Sequence, residues 1–317
     1  MSPSRGARSL GRRLPRTTLV GVAVVVVALV VIDVVLVALA LARTAPEATG
    51  QPRPVPTFGA TATAPATPRQ SPSASATGDP AAEGAGSARH LLSAIDGLEA
   101  WRASSATCAD PEVVLEHTTD GGKRWQAVEL DTDVRTIAAL RATSSGVSVL
   151  VGTGDACATE VRTSTDDGST WVGGASGAAG AGITEQGLVL GDDLIAPPCD
   201  DPDDAFRGES TTLVACDDEL DWRSGTGAWV KVPVVGVRAI AVNGGEYTLA
   251  RVGTASCDGV QVETMRASGV TTATTTTPVG CNPVPTERPI ALDRSGRDLW
   301  MWTGDSVTVS KDGGATW

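Results

Sequence analysis

Apolar positions fall into three regimes along the chain. From Thr18 to Ala42 there are 25 residues, almost all Val, Leu, Ala and Ile, interrupted by one charge, Asp33. From 44 to 88 no apolar periodicity survives; this stretch has eight prolines and a single aromatic, Phe58. From about Arg89 onward, apolar runs of three to five residues recur between Gly, Asp and Ser clusters, the pattern of short half-buried strands. They pair as Leu91–Ile95 with Glu99–Trp101, Ile137–Leu140 with Val147–Val151, and Leu188–Leu190 with Thr212–Ala215. The last two pairs are Ala239–Val242 with Tyr247–Ala250, and Pro289–Leu292 with Leu299–Trp302. Five units of roughly 45 to 50 residues result, each able to supply about four short strands.

The first regime predicts a membrane span. At 1.5 Å per residue it reaches roughly 37 Å, enough for a hydrocarbon layer of about 30 Å. Five arginines and no acid precede it, in residues 1–17, which places the N-terminus in the cytoplasm. The chain is thus expected at the cell membrane, single-pass, with residues 89–317 extracellular. Ala40-Leu41-Ala42 has the small-x-small form of a cleavage site, so a removed signal peptide is the competing reading; the run is longer than an ordinary signal core. Asp33 near mid-span either contacts another membrane helix or is a tolerated cost of about 2.5–3.5 kcal/mol. Residues 43–88 cannot bury enough apolar surface to offset their ordering and read as a disordered stalk, up to about 140 Å long if polyproline-like.

Three segments of the third regime repeat one another with the form [S/T]-x-D-x-G-x-x-W. They contain Thr118, Asp120, Gly122 and Trp125; Ser164, Asp166, Gly168 and Trp171; and Ser310, Asp312, Gly314 and Trp317. A degraded copy runs from Ser224 to Trp229. Asp and Ser/Thr side chains bond to nearby backbone in a tight turn, and Gly supplies a positive φ. The Trp then opens the next strand and buries its ring. Nothing in this pattern requires catalysis.

On these octets the chain resembles the Asp-box (bacterial neuraminidase repeat) propellers, the superfamily of sialidases, sortilin-type receptors and many binding or assembly proteins. The resemblance covers about residues 90–317 and implies an all-β propeller of about five four-stranded units, behind one transmembrane helix and the linker. It implies that the octets are structural and lie away from the ligand-binding face. The last unit reaches Trp317 before a fourth strand. Either the sequence is a piece of a longer chain, or a strand from elsewhere, near Pro54 to Ala60, completes that unit.

A sialidase-like glycoside hydrolase is the sharpest chemistry to weigh. The resemblance would require an Arg-Ile-Pro motif, three arginines and a Tyr–Glu pair. Here the motif is missing, and Arg288-Pro289-Ile290 has another order. The one tyrosine, Tyr247, has its Glu neighbour at 246, where strand alternation turns the two side chains apart. Arg102, Arg141, Arg162, Arg238 and Arg251 read as scattered and exposed. No catalytic residue is assigned.

Charge narrows the partner. The chain totals −12, and the basic N-terminus leaves about −16 for residues 89–317, which speaks against nucleic acid. Six cysteines outside the cytoplasm suggest three disulfides. Proximity favours Cys108–Cys157, Cys199–Cys216 and Cys257–Cys281, one of the fifteen pairings six cysteines allow. Were Cys199 and Cys216 joined, two acidic loops would meet. Asp200, Asp201, Asp203, Asp204, Asp217 and Asp218 could then hold Ca²⁺, although their spacing fits no EF-hand loop and a solvated insertion is the plainer reading. No other cofactor is expected. The expected function is non-catalytic binding or assembly with an extracytoplasmic protein or glycan. The alternatives are the hydrolase and an assembly factor or sensor acting through the membrane helix and Asp33.

Overall fold

The computed structural model describes residues 89–217, 219–287 and 289–317. The expected anchor, linker and Pro54–Ala60 strand lie outside them, as do Asp218 and Arg288. Among the described residues no helix is long and apolar enough to cross a membrane.

Six antiparallel meanders follow one another. Blade 1 holds β1 (Arg89–Ala94), β2 (Ala100–Ser105), β3 (Val113–Thr118) and β4 (Gln126–Ala127). Blade 2 holds β5 (Val134–Thr143), β6 (Gly146–Thr153), β7 (Ala158–Ser164) and β8 (Val172–Gly173). Blade 3 has three strands, β9 (Ala181–Thr184), β10 (Gly187–Leu190) and β11 (Asp193–Ile195). Blade 4 comprises β12 (Asp204–Arg207), β13 (Thr211–Ala215), β14 (Leu220–Ser224) and β15 (Val230–Val232). Blade 5 comprises β16 (Val237–Asn243), β17 (Glu246–Arg251), β18 (Val260–Arg266) and β19 (Thr277–Asn282). Blade 6 has β20 (Ile290–Ser295), β21 (Asp298–Thr303) and β22 (Ser306–Ser310). The first strands β1, β5, β9, β12, β16 and β20 neighbour one another in that order, and β20 returns to β1. The ring is closed, and the protein is a six-bladed β-propeller.

The expected count of five is therefore corrected to six. Leu188–Leu190 pairs with β9 and β11, not with Thr212–Ala215. The cause lies just after blade 2. Its outer strand β8 is as short as β4 of blade 1 and closes in the same way, Gly174 N on Val161 O as Val128 N on Leu115 O (both 2.8 Å). Residues 175–180 then turn, Ala178 N on Ala175 O (3.0 Å) and Gly180 N on Gly177 O (3.1 Å), so the chain never climbs back to the end where the other inner strands begin. It enters β9 from the opposite end. Glu185, just past β9, accepts a hydrogen bond from Cys108 N (3.0 Å), whereas Gly180, just before it, faces the Arg141 guanidinium near the far end of β5. Three strands then return the chain to the starting end for β12. A unit that runs backwards and lacks an octet merges, by sequence, into its neighbour.

Apolar side chains collect in six clusters, and each cluster spans one pair of adjacent blades. Both faces of every sheet are thus buried by flanking sheets, which explains why inner strands read as unbroken apolar runs. The seam between blades 6 and 1 joins Leu92, Ala94 and Ala100 to Ala291, Trp300 and Trp302. Polar links reinforce it: Ala94 N donates to Asp293 (2.7 Å), Ser295 Oγ to Ile95 O (2.7 Å) and Trp300 Nε1 to Asp96 O (2.8 Å). Trp300 is fully buried and meets Trp125 edge-on at 6.4 Å. Truncating so large a buried side chain costs about 3–5 kcal/mol. Trp300→Ala is therefore expected to lose that much in urea unfolding followed by circular dichroism, with Trp300→Phe losing less; a loss under about 1 kcal/mol would mean that the seam does not carry ring closure.

Candidate functional site

The two ends of the ring differ in construction. At one end lie the octet turns, each joining the third strand of its blade to the residues that follow. Ser164 Oγ accepts from Gly168 N (2.9 Å) and donates to Asp166 (2.8 Å), while Asp166 accepts from Thr170 N (2.9 Å) and Thr170 Oγ1 (2.7 Å). Ser310, Asp312, Gly314 and Thr316 repeat these bonds at 2.7–2.9 Å. Thr118, Asp120 and Gly122 repeat the inner ones, with Arg124 N as the last donor. These bonds stabilise the charged carboxylate, so Asp120 and Asp166 are held below the usual range and Asp312 is lowered to about 2. Gly168 (φ +81°) is required twice over, because Val128 of blade 1 fills the space a Cβ would need.

The octet tryptophans are equivalently placed. Trp125 packs at the seam with blade 6, Trp171 at the seam with blade 1 and Trp317 at the seam with blade 5, each against the preceding blade. Trp229 of the degraded copy does the same against blade 3, without the Ser–Asp bonds. The octets therefore bolt blades together and present no reactive group.

The opposite end carries all three disulfides, Cys108–Cys157, Cys199–Cys216 and Cys257–Cys281. The first ties blade 1 to blade 2; the second ties the connection after β11 to the β13–β14 loop; the third lies within blade 5. The second does bring the acidic loops together, but around a cation: Arg238 bonds Asp203 at 2.6 Å and also pairs with Asp217. Asp204 turns into the ring, where it accepts from Ile240 N (2.7 Å) and Ala205 N (2.8 Å). Asp200 and Asp201 are exposed. Among the described residues no three His, Cys, Asp or Glu side chains are grouped to hold a metal ion.

The ring encloses two chambers in series. The one at the disulfide end, about 330 Å³, is lined by Arg89, His90, Glu185, Asp201, Asp203 and Arg238 among others. Arg89 donates to Pro202 O (2.7 Å) and Asp203 O (3.0 Å); burial pulls its pKa down against the nearby carboxylates. His90 borders both chambers and stacks on Trp302 at 3.5 Å. Burial, with Arg102 adding to it, lowers its pKa to about 4, so it is neutral at pH 7, and its buried Nδ1 has no partner among the described residues. The chamber at the octet end, about 400 Å³, has Asp204, Asp293, Arg141, Arg207 and Arg294 in its wall. Sequence reasoning missed this set. Its signal was positional: Arg89, His90, Asp204 and Arg238 sit at or beside the first residue of an inner strand, and Arg141, Arg207 and Arg294 near the far end of one.

The arginines read as scattered and exposed prove to be half-buried. Arg102 pairs with Glu116 at 2.6 Å and lies over the rings of Trp125 (4.3 Å) and Trp302 (4.8 Å). Arg162 pairs with Glu160 and Asp131, and Arg251 with Glu263 at 3.0 Å. Tyr247 is fully buried between blades 4 and 5, its hydroxyl 2.9 Å from Thr211 Oγ1, and it lines neither chamber.

Fold and chambers together define a disulfide-bonded, six-bladed β-propeller with a polar axial cavity. Solved structures with which it aligns are propellers too. YCF48 bound to D1 peptide is 16% identical over 72% of this chain and 64% of that one (TM-score 0.28). The GH74 enzyme of Niastella koreensis is 15% identical over 71% and 45% (TM-score 0.39), and the Hadza microbial sialidase Hz136 9% identical over 67% and 49% (TM-score 0.31). The chain thus spans less than two thirds of the length of each. No family model and no curated protein matches the sequence.

Burial raises the pKa of both Asp204 and Asp293 to about 6, in spite of their backbone hydrogen bonds. A folded-state pKa above the unfolded value of about 3.9 means the native state binds the extra proton between the two. The stability these groups contribute is present below pH 4 and is lost as pH rises through about 6. Asp293→Asn is therefore expected to flatten the fall in melting temperature between pH 4 and 7; parallel pH profiles for variant and parent would refute the shift.

Proposed function

We propose that this propeller is a non-catalytic binding module whose disulfide-bearing face takes a basic segment of an extracytoplasmic protein, held at the membrane by residues 18–42 and spaced from it by residues 43–88. The observation that carries the reading is the charge of that face. Six of the connections at this end (106–112, 130–133, 154–157, 196–203, 216–219 and 252–259) hold eleven described acidic residues and no lysine or arginine. Arg135, Arg162, Lys231 and Arg238, rising from the strands, engage only some of them. A rim of one sign around a cavity focuses its field on a complementary partner and speeds encounter. The disulfides fix the rim in shape before binding, which lowers the ordering cost of association.

The octet geometry supports reading the chain as an Asp-box propeller of the sialidase and sortilin kind, with the binding face opposite the octets. A glycan remains the second ligand class, favoured by the polar groups Glu185, Asp201, Asp203 and Arg238 in the wall of the disulfide-end chamber. A divergent glycoside hydrolase would need carboxylates with distinct roles there. Glu185 is engaged by Cys108 N and Asp203 by Arg238, which fits recognition better than proton transfer.

Asp110, Asp155 and Asp258 are exposed on this rim. Recovery of one stoichiometric, basic envelope protein by residues 89–317 is expected, with affinity falling steeply between 50 and 300 mM salt. Replacing all three aspartates with Lys is expected to weaken that binding at least tenfold, about 1.4 kcal/mol, with the melting temperature unchanged. Salt-independent binding, or turnover of a fluorogenic sugar panel, would overturn the proposal.

A further inference from the structure

The octet-end chamber contains two cations that make no hydrogen bond or ion pair with a described residue. Of its three arginines, Arg294 is committed: its Nε donates to Gly296 O (2.9 Å) and its Nη1 to Thr248 Oγ1 (3.0 Å). The guanidinium groups of Arg141 and Arg207 form no hydrogen bond or ion pair with any described residue. Both are half-buried. They rise from β5 and β12, the inner strands on either side of the reversed blade 3, and each is seated on a glycine of that blade. Arg141 lies 3.8–4.0 Å from where a Cβ of Gly180 would stand, and Arg207 Nη1 occupies the space a Cβ of Gly191 would take. Both glycines have positive φ, +97° and +72°.

A half-buried guanidinium with no protein acceptor keeps its donors available to a ligand. Its planar fork matches the paired oxygens of a carboxylate, sulfate or phosphate. From these observations we infer that the octet-end chamber is an oxyanion site, in which Arg141 and Arg207 hold a small carboxylate-, sulfate- or phosphate-bearing ligand against blade 3. The site lies at the opposite end of the ring from the acidic rim, so it stands or falls apart from the function proposed above. The remaining charged and titratable groups of the chamber are His90, Arg294, Asp204 and Asp293. Asp293 senses the Arg141 charge, and each aspartate spends an oxygen on the backbone of the next blade. As ionised groups the aspartates oppose an incoming anion; as protonated groups they do not. Binding is therefore tighter on the acid side of about pH 6.

Isothermal titration of residues 89–317 with sulfate, whose charge is constant over the range, and separately with malonate, tests this at constant ionic strength set by chloride. Saturable one-to-one binding is expected for at least one of the two, with sulfate, if bound, several-fold tighter at pH 5 than at pH 7.5. Arg141→Gln with Arg207→Gln should weaken it at least tenfold, while Arg266→Gln, an exposed arginine outside the chamber, should leave it unchanged. Preference for sulfate would mark a tetrahedral oxyanion as the natural ligand and preference for malonate a carboxylate. Absence of saturable binding of either anion by the parent would overturn the inference, as would binding undiminished in a folded double variant.

Discussion

Everything in this molecule depends on burying both faces of six small sheets against one another. No single blade has a core: each of the six apolar clusters belongs to two blades. Stability is therefore a property of the closed circle, and the 6–1 seam, where the first described strands meet the last, must be as well packed as the rest. It is, through Trp300, Trp302 and Trp125. The seam between blades 2 and 3 is built largely from small side chains, Ala138, Ala139 and Ala179 beside Leu150 and Val189. Side-chain bonds to backbone also cross the seams, with Ser93 on Ala142 N between blades 1 and 2 (2.9 Å) and Asp204 on Ile240 N between blades 4 and 5 (2.7 Å).

This constraint separates what could be read in advance from what could not. The octets were legible because their bonds reach no further than four residues along the chain. The fold class followed from them, and so did a place for each tryptophan. Cysteine neighbours at similar positions of successive units pointed to the pairing that forms. Blade number was not legible, because it turns on the course of residues 175–180 and on the direction of β9. Both are settled by contacts between blades. The chambers were hidden for the same reason. Arg89, Arg141, Arg207 and Arg238 are up to 149 residues apart and meet only once the circle closes.

The two ends divide labour. At the octet end, local turns with carboxylates held in their charged form fasten blades from outside. At the other end, long loops carry the acids and are pinned covalently. In the chain-entropy picture the 49-residue separation of Cys108 and Cys157 makes that bridge worth about 4 kcal/mol, the largest of the three. Loops held this way keep a recognition surface in one shape without a core of their own.

Blade 3 imposes a parity rule on the chain. Because the chain enters β9 from the octet end, an odd number of strands must intervene before β12 can start from its proper side. Losing or gaining one strand there would invert everything downstream and drive polar faces into the seams. Strands in that stretch can only be exchanged in pairs, or singly together with a connection after β8 that runs back to the starting end, as residues 128–133 do after β4. The region between residues 172 and 204 should therefore vary by jumps, while loops elsewhere lengthen or shorten residue by residue.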